Sequence, residues 1–123
     1  KATEDTMYVG RSRVFESMGL TALRLEDEPL AMQHFERSLR LNPRQPRALL
    51  EMASLSYERR EYVPAKQYYE LFLQQSEHSA RSLLLGVRLA KIFQDRDQAA
   101  SLGLQLKRLY PASAEYTEYQ SEQ

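Results

Sequence analysis

The sequence contains no cysteine, which excludes disulfides, thiol chemistry and a zinc–thiolate centre. Histidine is nearly as scarce. His34 falls on a predicted helix and His78 in a turn, a separation that is not the clustered spacing of metal ligands. Two scattered histidines also support no Ser/His/Asp arrangement. The glycines Gly10, Gly19, Gly86 and Gly103 form no phosphate-cradling loop. Neither sign of charge dominates, with Lys+Arg 17 against Asp+Glu 17 and a net charge of +0. A dedicated nucleic-acid binder would show a basic excess. No apolar run approaches the ~18 residues needed to span a bilayer, and no secretory leader pattern is visible. Nothing resembles a catalytic, cofactor-binding or metal constellation, so the sequence reads as non-enzymatic.

What is present is periodicity. In the stretch Phe15–Pro43, Phe15, Met18, Gly19 and Ala22 fall at i, i+3, i+4 and i+7, one face of a helix. Ala31, Phe35 and Ser38 repeat that spacing on a second helix, and Glu26-Asp27-Glu28-Pro29 between them supplies a capping carboxylate and a first-turn proline. Moving this frame forward by 34 residues carries Ala31 to Ala65, Phe35 to Tyr69, Gly19 to Ala53 and Met18 to Met52. A second shift carries Ala31 to Ala99, Ala22 to Ala90 and Pro43 to Pro111. Small residues at helix crossings and a closing proline, at a period of 34, mark a tetratricopeptide repeat. The expected fold is all-α: antiparallel helix pairs in a right-handed superhelical solenoid, closed by a short C-terminal capping helix. The third unit is the least regular, with Glu77 in the proline slot, Gly86 in the Met18 slot and Gly103 in the Phe35 slot.

The expected order is the end of an upstream repeat and a connector at 1–10, then repeats at 11–44, 45–78 and 79–112, then a capping segment at 113–123. Helices are expected over Arg11–Leu25, Glu28–Leu41, Pro46–Arg60, Tyr62–Gln75, Ser79–Phe93, Gln98–Leu109 and Ala114–Gln120. Asp95 or Asp97 would cap the sixth, and Asn42-Pro43 stops the second, because the residue before proline is pushed out of helical space. Tyr68-Tyr69, Leu71-Phe72 and Leu104–Leu106 read as core, since each pair alone buries too little to be stable and must stack. The chain begins at Lys1 without methionine, as a fragment or processed form would. In a fragment, Val14 and neighbouring apolar surface would lack a stacking helix, so self-association through the N-terminal end is expected.

With no reaction in view, function is expected at a surface. First helices of such pairs line the concave side, and away from the apolar face lie Arg13, Glu16, Leu20, Leu23 and Arg24. The same register gives Arg47, Leu50, Ser54, Tyr57 and Glu58, then Arg81, Leu84, Arg88, Lys91 and Ile92. Arg13, Arg47 and Arg81 recur at the repeat period, and the stripe holds six cations against two carboxylates. The expected partner-binding set is Arg13, Leu20, Leu23, Arg47, Leu50, Tyr57, Arg81, Leu84 and Arg88, suited to a peptide with acidic and apolar residues. Pairing of the arginines with carboxylates on neighbouring helices is the competing expectation. A clamp for acidic C-termini would need asparagine and lysine where the chain offers Glu16, Leu20 and Ser54. A base-reading RNA repeat fits poorly with zero net charge.

The segments RSRVFESMGL, FERSLRLNPRQP, ERREYVPAKQYYELF and ARSLLLGVRLAKIFQDRDQAASLGLQLKRLYP resemble the C-terminal half of the PilF/PilW family of type IV pilus biogenesis proteins, in its pseudomonad form. The resemblance runs from about Thr6 to Tyr119. It implies a lipoprotein pilotin on the periplasmic face of the outer membrane, whose partner is the pilus secretin that it helps to localise and assemble. It implies no cofactor and no nucleic acid, and membrane contact only through a lipid anchor. The family's lipid-bearing cysteine and upstream repeats have no counterpart in this sequence. A general peptide-binding adaptor, or a spacer half of the pilotin, are the alternative roles.

Overall fold

The computed structural model describes residues 2–123, with side chains from residue 10 onward. The helices are α1 (Ala2–Arg24), α2 (Glu28–Leu41), α3 (Pro46–Glu58), α4 (Tyr62–Gln75), α5 (Ala80–Ile92), α6 (Arg96–Leu109) and α7 (Ala114–Ser121). No strand occurs among the described residues. The bounds of α2 and α4 coincide with those expected. At 1–10 the expected connector is not a separate element, because α1 is helical from Ala2. The side chains of residues 1–9 lie outside the described set.

Local chemistry explains the ends. The Asp27 carboxylate accepts from the Leu30 N–H at 3.2 Å to open α2, and Pro29 in the first turn removes a donor that had no partner. Asp95, not Asp97, caps α6 through the Gln98 N–H at 3.1 Å. Ser79 and Ser82 form a reciprocal box at α5, and Ser113 opens α7 through the Tyr116 N–H at 3.0 Å. The turns inside the helix pairs show the repeat most plainly. Glu26, Arg60 and Gln94 carry φ values of 60°, 64° and 60°. They are spaced 34 residues apart (60 − 26 = 94 − 60 = 34). At each, the next residue's N–H reaches back five positions, as Asp27 to Ala22 O at 2.9 Å and Asp95 to Ala90 O at 2.8 Å. That is a Schellman closure built without glycine.

The chain divides into two compact units, one ending at Gln75 and one covering Ser76–Gln123. In the first, α1 packs on α2, α2 on α3 and α3 on α4. Its core gathers Ala22, Ala31, Phe35, Ala48, Met52 and Leu55, with Leu20, Leu23, Met32, Leu39 and Tyr68 partly buried against them. Gly19 is there because nothing larger fits: a Cβ would lie 2.6 Å from Cε1 of the Phe35 ring. In the second unit, α5 and α6 enclose Leu83, Leu84, Val87, Ala90, Ala99, Leu102 and Leu106, and α7 lays Tyr116 and Tyr119 against them. The irregular Gly103 is explained here, since Tyr119 occupies the space a Cβ would need. Pro46, Ala80 and Ala114, at spacings of 34, begin α3, α5 and α7, so α7 stands in sequence as a further first helix cut to eight residues.

Three expectations about the core need correction. Met18 does not join the buried face of α1; it is 42% exposed, while Ser12, Gly19 and Ala22 form the buried line. Leu71 and Leu104 are also exposed, whereas Tyr69, Phe72 and Leu106 are buried as expected. Leu50 and Leu84, placed on the outer stripe by helical spacing, are buried at 8% and 3%. The reason is that α3 packs against both α2 and α4, and α5 against both α6 and α7, so eight of thirteen residues are buried in each and a single apolar face describes neither.

Candidate interaction site

The nine residues of the expected stripe divide sharply. Leu50 and Leu84 belong to the cores and present nothing to a partner. Leu20 and Leu23 are half-buried against the first-unit core. The Tyr57 ring is half-buried and tilted against Tyr62, with centroids 5.6 Å apart. Arg88 is engaged inside the second unit: its guanidinium donates to Glu122 from Nε at 3.2 Å and also bonds Glu118. The hydrogen bond from Arg88 holds the Glu122 carboxyl below its ordinary value, with burial opposing the effect. That is the competing expectation realised at one residue. Arg81 is exposed on α5.

Arg13 and Arg47 are brought together. Both are exposed, and with Arg44 they line a pocket of about 300 Å³ in the first unit, whose remaining wall is Glu16, Asn42, Gln45 and Pro46. A buried polar knot holds this wall. Ser38 Oγ donates to the Ser12 carbonyl at 2.7 Å, tying α2 to α1. The Gln45 amide donates to Ser38 Oγ at 2.6 Å, to Ser38 O at 3.1 Å and to Asn42 O at 3.1 Å. Asn42 Oδ1 in turn accepts the Arg44 N–H at 3.1 Å. A side-chain amide with three acceptors in a nearly dry site resists displacement, because each lost bond would strand a buried polar group. The α2–α3 turn is therefore rigid, and it sets Arg44 and Arg47 on a fixed base. Sequence reading missed Ser12, Arg44 and Gln45; the only trace was the QPR segment beside Asn42-Pro43.

A second surface is apolar. Val14, Met18, Leu25 and Leu30, exposed at 57%, 42%, 74% and 37%, line a groove of about 510 Å³ along α1 and the start of α2. His34 borders it, buried, with Nδ1 lacking a hydrogen-bond partner and its ring stacked on Phe15 at 6.3 Å. A larger hollow, about 590 Å³, lies by Lys91, Gln94, Asp95 and Tyr119 and contains none of the nine expected partner-binding residues. Among the described residues no group of His, Asp or Glu is placed to hold a metal ion. None of the described helices is long and apolar enough to cross a membrane.

The chain is 61% identical over 122 residues to the type IV pilus assembly protein PilF of Pseudomonas aeruginosa. It is PilF-like along nearly its whole length. The aligned region is 99% of this chain and 48% of that protein, so the chain spans about half the length of the curated relative it matches. A solved structure of PilF superposes with a TM-score of 0.91 at 61% identity, covering 99% of this chain and 55% of that one. PilW, described as a widely conserved type IV pilus biogenesis factor, gives 0.70 at 24% identity over 86% of this chain and 49% of its own. The tetratricopeptide domain of Arabidopsis OM64 gives 0.78 at 14% identity, covering 94% and 95% of the two chains. The last two likenesses concern the fold alone. The OM64 likeness gives the fold of the helix pairs as that of a tetratricopeptide domain. No family model matches the chain.

Proposed function

We propose that this chain is the C-terminal part of a type IV pilus biogenesis protein that acts without catalysis, as a scaffold for protein–protein contacts. The observation that carries this reading is the 61% identity to PilF across 99% of the chain. In the reading, the full-length protein is a lipoprotein pilotin on the periplasmic face of the outer membrane, and its partner is the pilus secretin. Its task is to help the secretin localise and multimerise, and its only membrane contact is a lipid anchor.

The test is co-purification of tagged secretin with this chain and, in parallel, with the full-length protein. Retention by both assigns a secretin contact to this half. Retention by the full-length protein alone leaves this half as a spacer. Retention by neither overturns the secretin partnership.

A second reading, self-association, is favoured by the apolar groove of Val14, Met18, Leu25 and Leu30. Two copies meeting there would remove exposed apolar surface of the kind that seeks a partner. Sedimentation velocity should show concentration-dependent dimers that Val14→Lys and Leu25→Lys abolish. A chain that stays monomeric at high concentration removes the idea.

A further inference from the structure

We infer that the pocket of Arg13, Arg44 and Arg47 receives the carboxylates of an acidic segment of a partner protein. This goes beyond the pilus reading, since it concerns the charge class of the occupant and not its identity. Among the described residues these three arginines form no ion pair, although Glu16 shares the pocket with them. Three like charges drawn to one pocket repel one another, and in a chain with net charge +0 there is no general basic excess to explain them. The backbone beneath the cluster is fixed by the Gln45–Ser38–Ser12 knot, so no loop has to be ordered on binding.

The class of ligand follows from shape and charge. A guanidinium presents a planar fork of donors that matches a carboxylate or a phosphate. Glu16 in the wall sets a negative charge against any multiply charged anion, and it offers an acceptor to a backbone N–H. Both features favour a peptide carrying single charges over a phosphate group. The pocket, about 300 Å³, suits one or two acidic side chains better than a nucleotide. The molecule itself shows the pairing. In the second unit Glu118 on α7 and Glu122 at its C-cap, four residues apart, converge on Arg88. An acidic helix of that pattern is the partner chemistry the arginine pocket fits.

The probe is an alanine-based helical peptide with glutamates four residues apart, compared with the same peptide carrying glutamines. Binding to the whole chain is read by fluorescence anisotropy at low salt, with the amide shifts of Asn42, Arg44, Gln45 and Arg47 followed by NMR. The glutamate peptide should bind about tenfold more tightly than the glutamine one, and the difference should shrink as salt rises. Arg13→Ala with Arg47→Ala, and separately Arg44→Ala, should remove it while circular dichroism stays unchanged. Arg59→Ala, outside the pocket, should leave it intact. Equal binding of both peptides would overturn the proposal, as would loss of binding in the Arg59 variant to the same extent. Vesicles of phosphatidylglycerol and inorganic phosphate run beside the peptides. Arginine-dependent binding to either, with none to the glutamate peptide, would also overturn it.

Discussion

Gly19 and Phe35 define how tightly the first unit is built. Phe35 is fully buried, and its ring lies where a Cβ on Gly19 would sit 2.6–2.9 Å away. The ring cannot withdraw, because Ala22, Ala31 and Met52 belong to the same closed cluster. Gly19→Ala should therefore overpack, costing about 1–3 kcal/mol. Phe35→Ala should open a cavity and cost about 3–5 kcal/mol. Since the two residues touch, Gly19→Ala combined with Phe35→Leu should cost less than the sum of the single changes. Denaturant melts of the parent, Gly19→Ala, Phe35→Leu and the double variant measure this, and strict additivity would refute the contact. At this scale the sequence is informative about small and large partners: the Gly19 and Phe35 slots are visible in the repeat frame. It is uninformative about Ser12, Ser38 and Gln45, whose meaning lies in hydrogen bonds over a separation of 26 and 7 residues.

The ends of α2 and α4 were legible because they depend on neighbours in the chain, whereas the start of α1, which carries no cap signal, lies nine residues before the expected one (11 − 2 = 9). Asp27, Pro29 and the Asn42-Pro43 stop locate α2 from local rules alone. Helix faces were not, because they depend on how many neighbours a helix acquires. On α3 and α5 eight of thirteen residues are buried, so Leu50 and Leu84 could not be told from outward-facing residues by periodicity. Arginines survive that ambiguity better than leucines, and of the expected stripe Arg13 and Arg47 remain at the exposed pocket. The turns between paired helices carry their own prediction. Gln94 sits at φ 60° with no glycine to relieve it, and its N–H closes on Lys91 O at 3.1 Å. A left-handed conformation costs a non-glycine residue roughly 1–2 kcal/mol, and glycine's added freedom when unfolded returns part of that. Gln94→Gly should thus stabilise by about 0.5–1 kcal/mol, read as a higher denaturant midpoint at unchanged slope. A lower midpoint would mean that Gln94 makes a contact worth more than its strain.

Across the whole chain the balance of charge is zero, so its response to acid rests on individual groups. Two of them lie in the second unit. His78 is half-buried, with Nδ1 2.9 Å from Ser82 Oγ, and desolvation lowers its pKa from 6.5. The folded state therefore favours neutral imidazole, and the unfolded chain takes up the proton first as pH falls through 6.5. Stability should be unaffected by His78 above that value, should decline below it, and should level off once the folded state is protonated too. Glu122 acts lower on the scale. Its pKa is depressed from 4.5, chiefly by the hydrogen bond from Arg88, so its contribution is full above 4.5 and is lost as pH falls through the depressed value. The bond that goes with it fastens α7, whose Tyr116 and Tyr119 cover the α5–α6 core. Acid titration monitored by tyrosine fluorescence and far-ultraviolet circular dichroism should accordingly show two steps, a loss of stability near neutrality and a release of α7 in the carboxylate range. His78→Gln should remove the first step and leave the second. Glu122→Gln should weaken α7 at neutral pH and flatten the second step. Identical acid profiles for both variants and the parent would mean that neither group links protonation to folding.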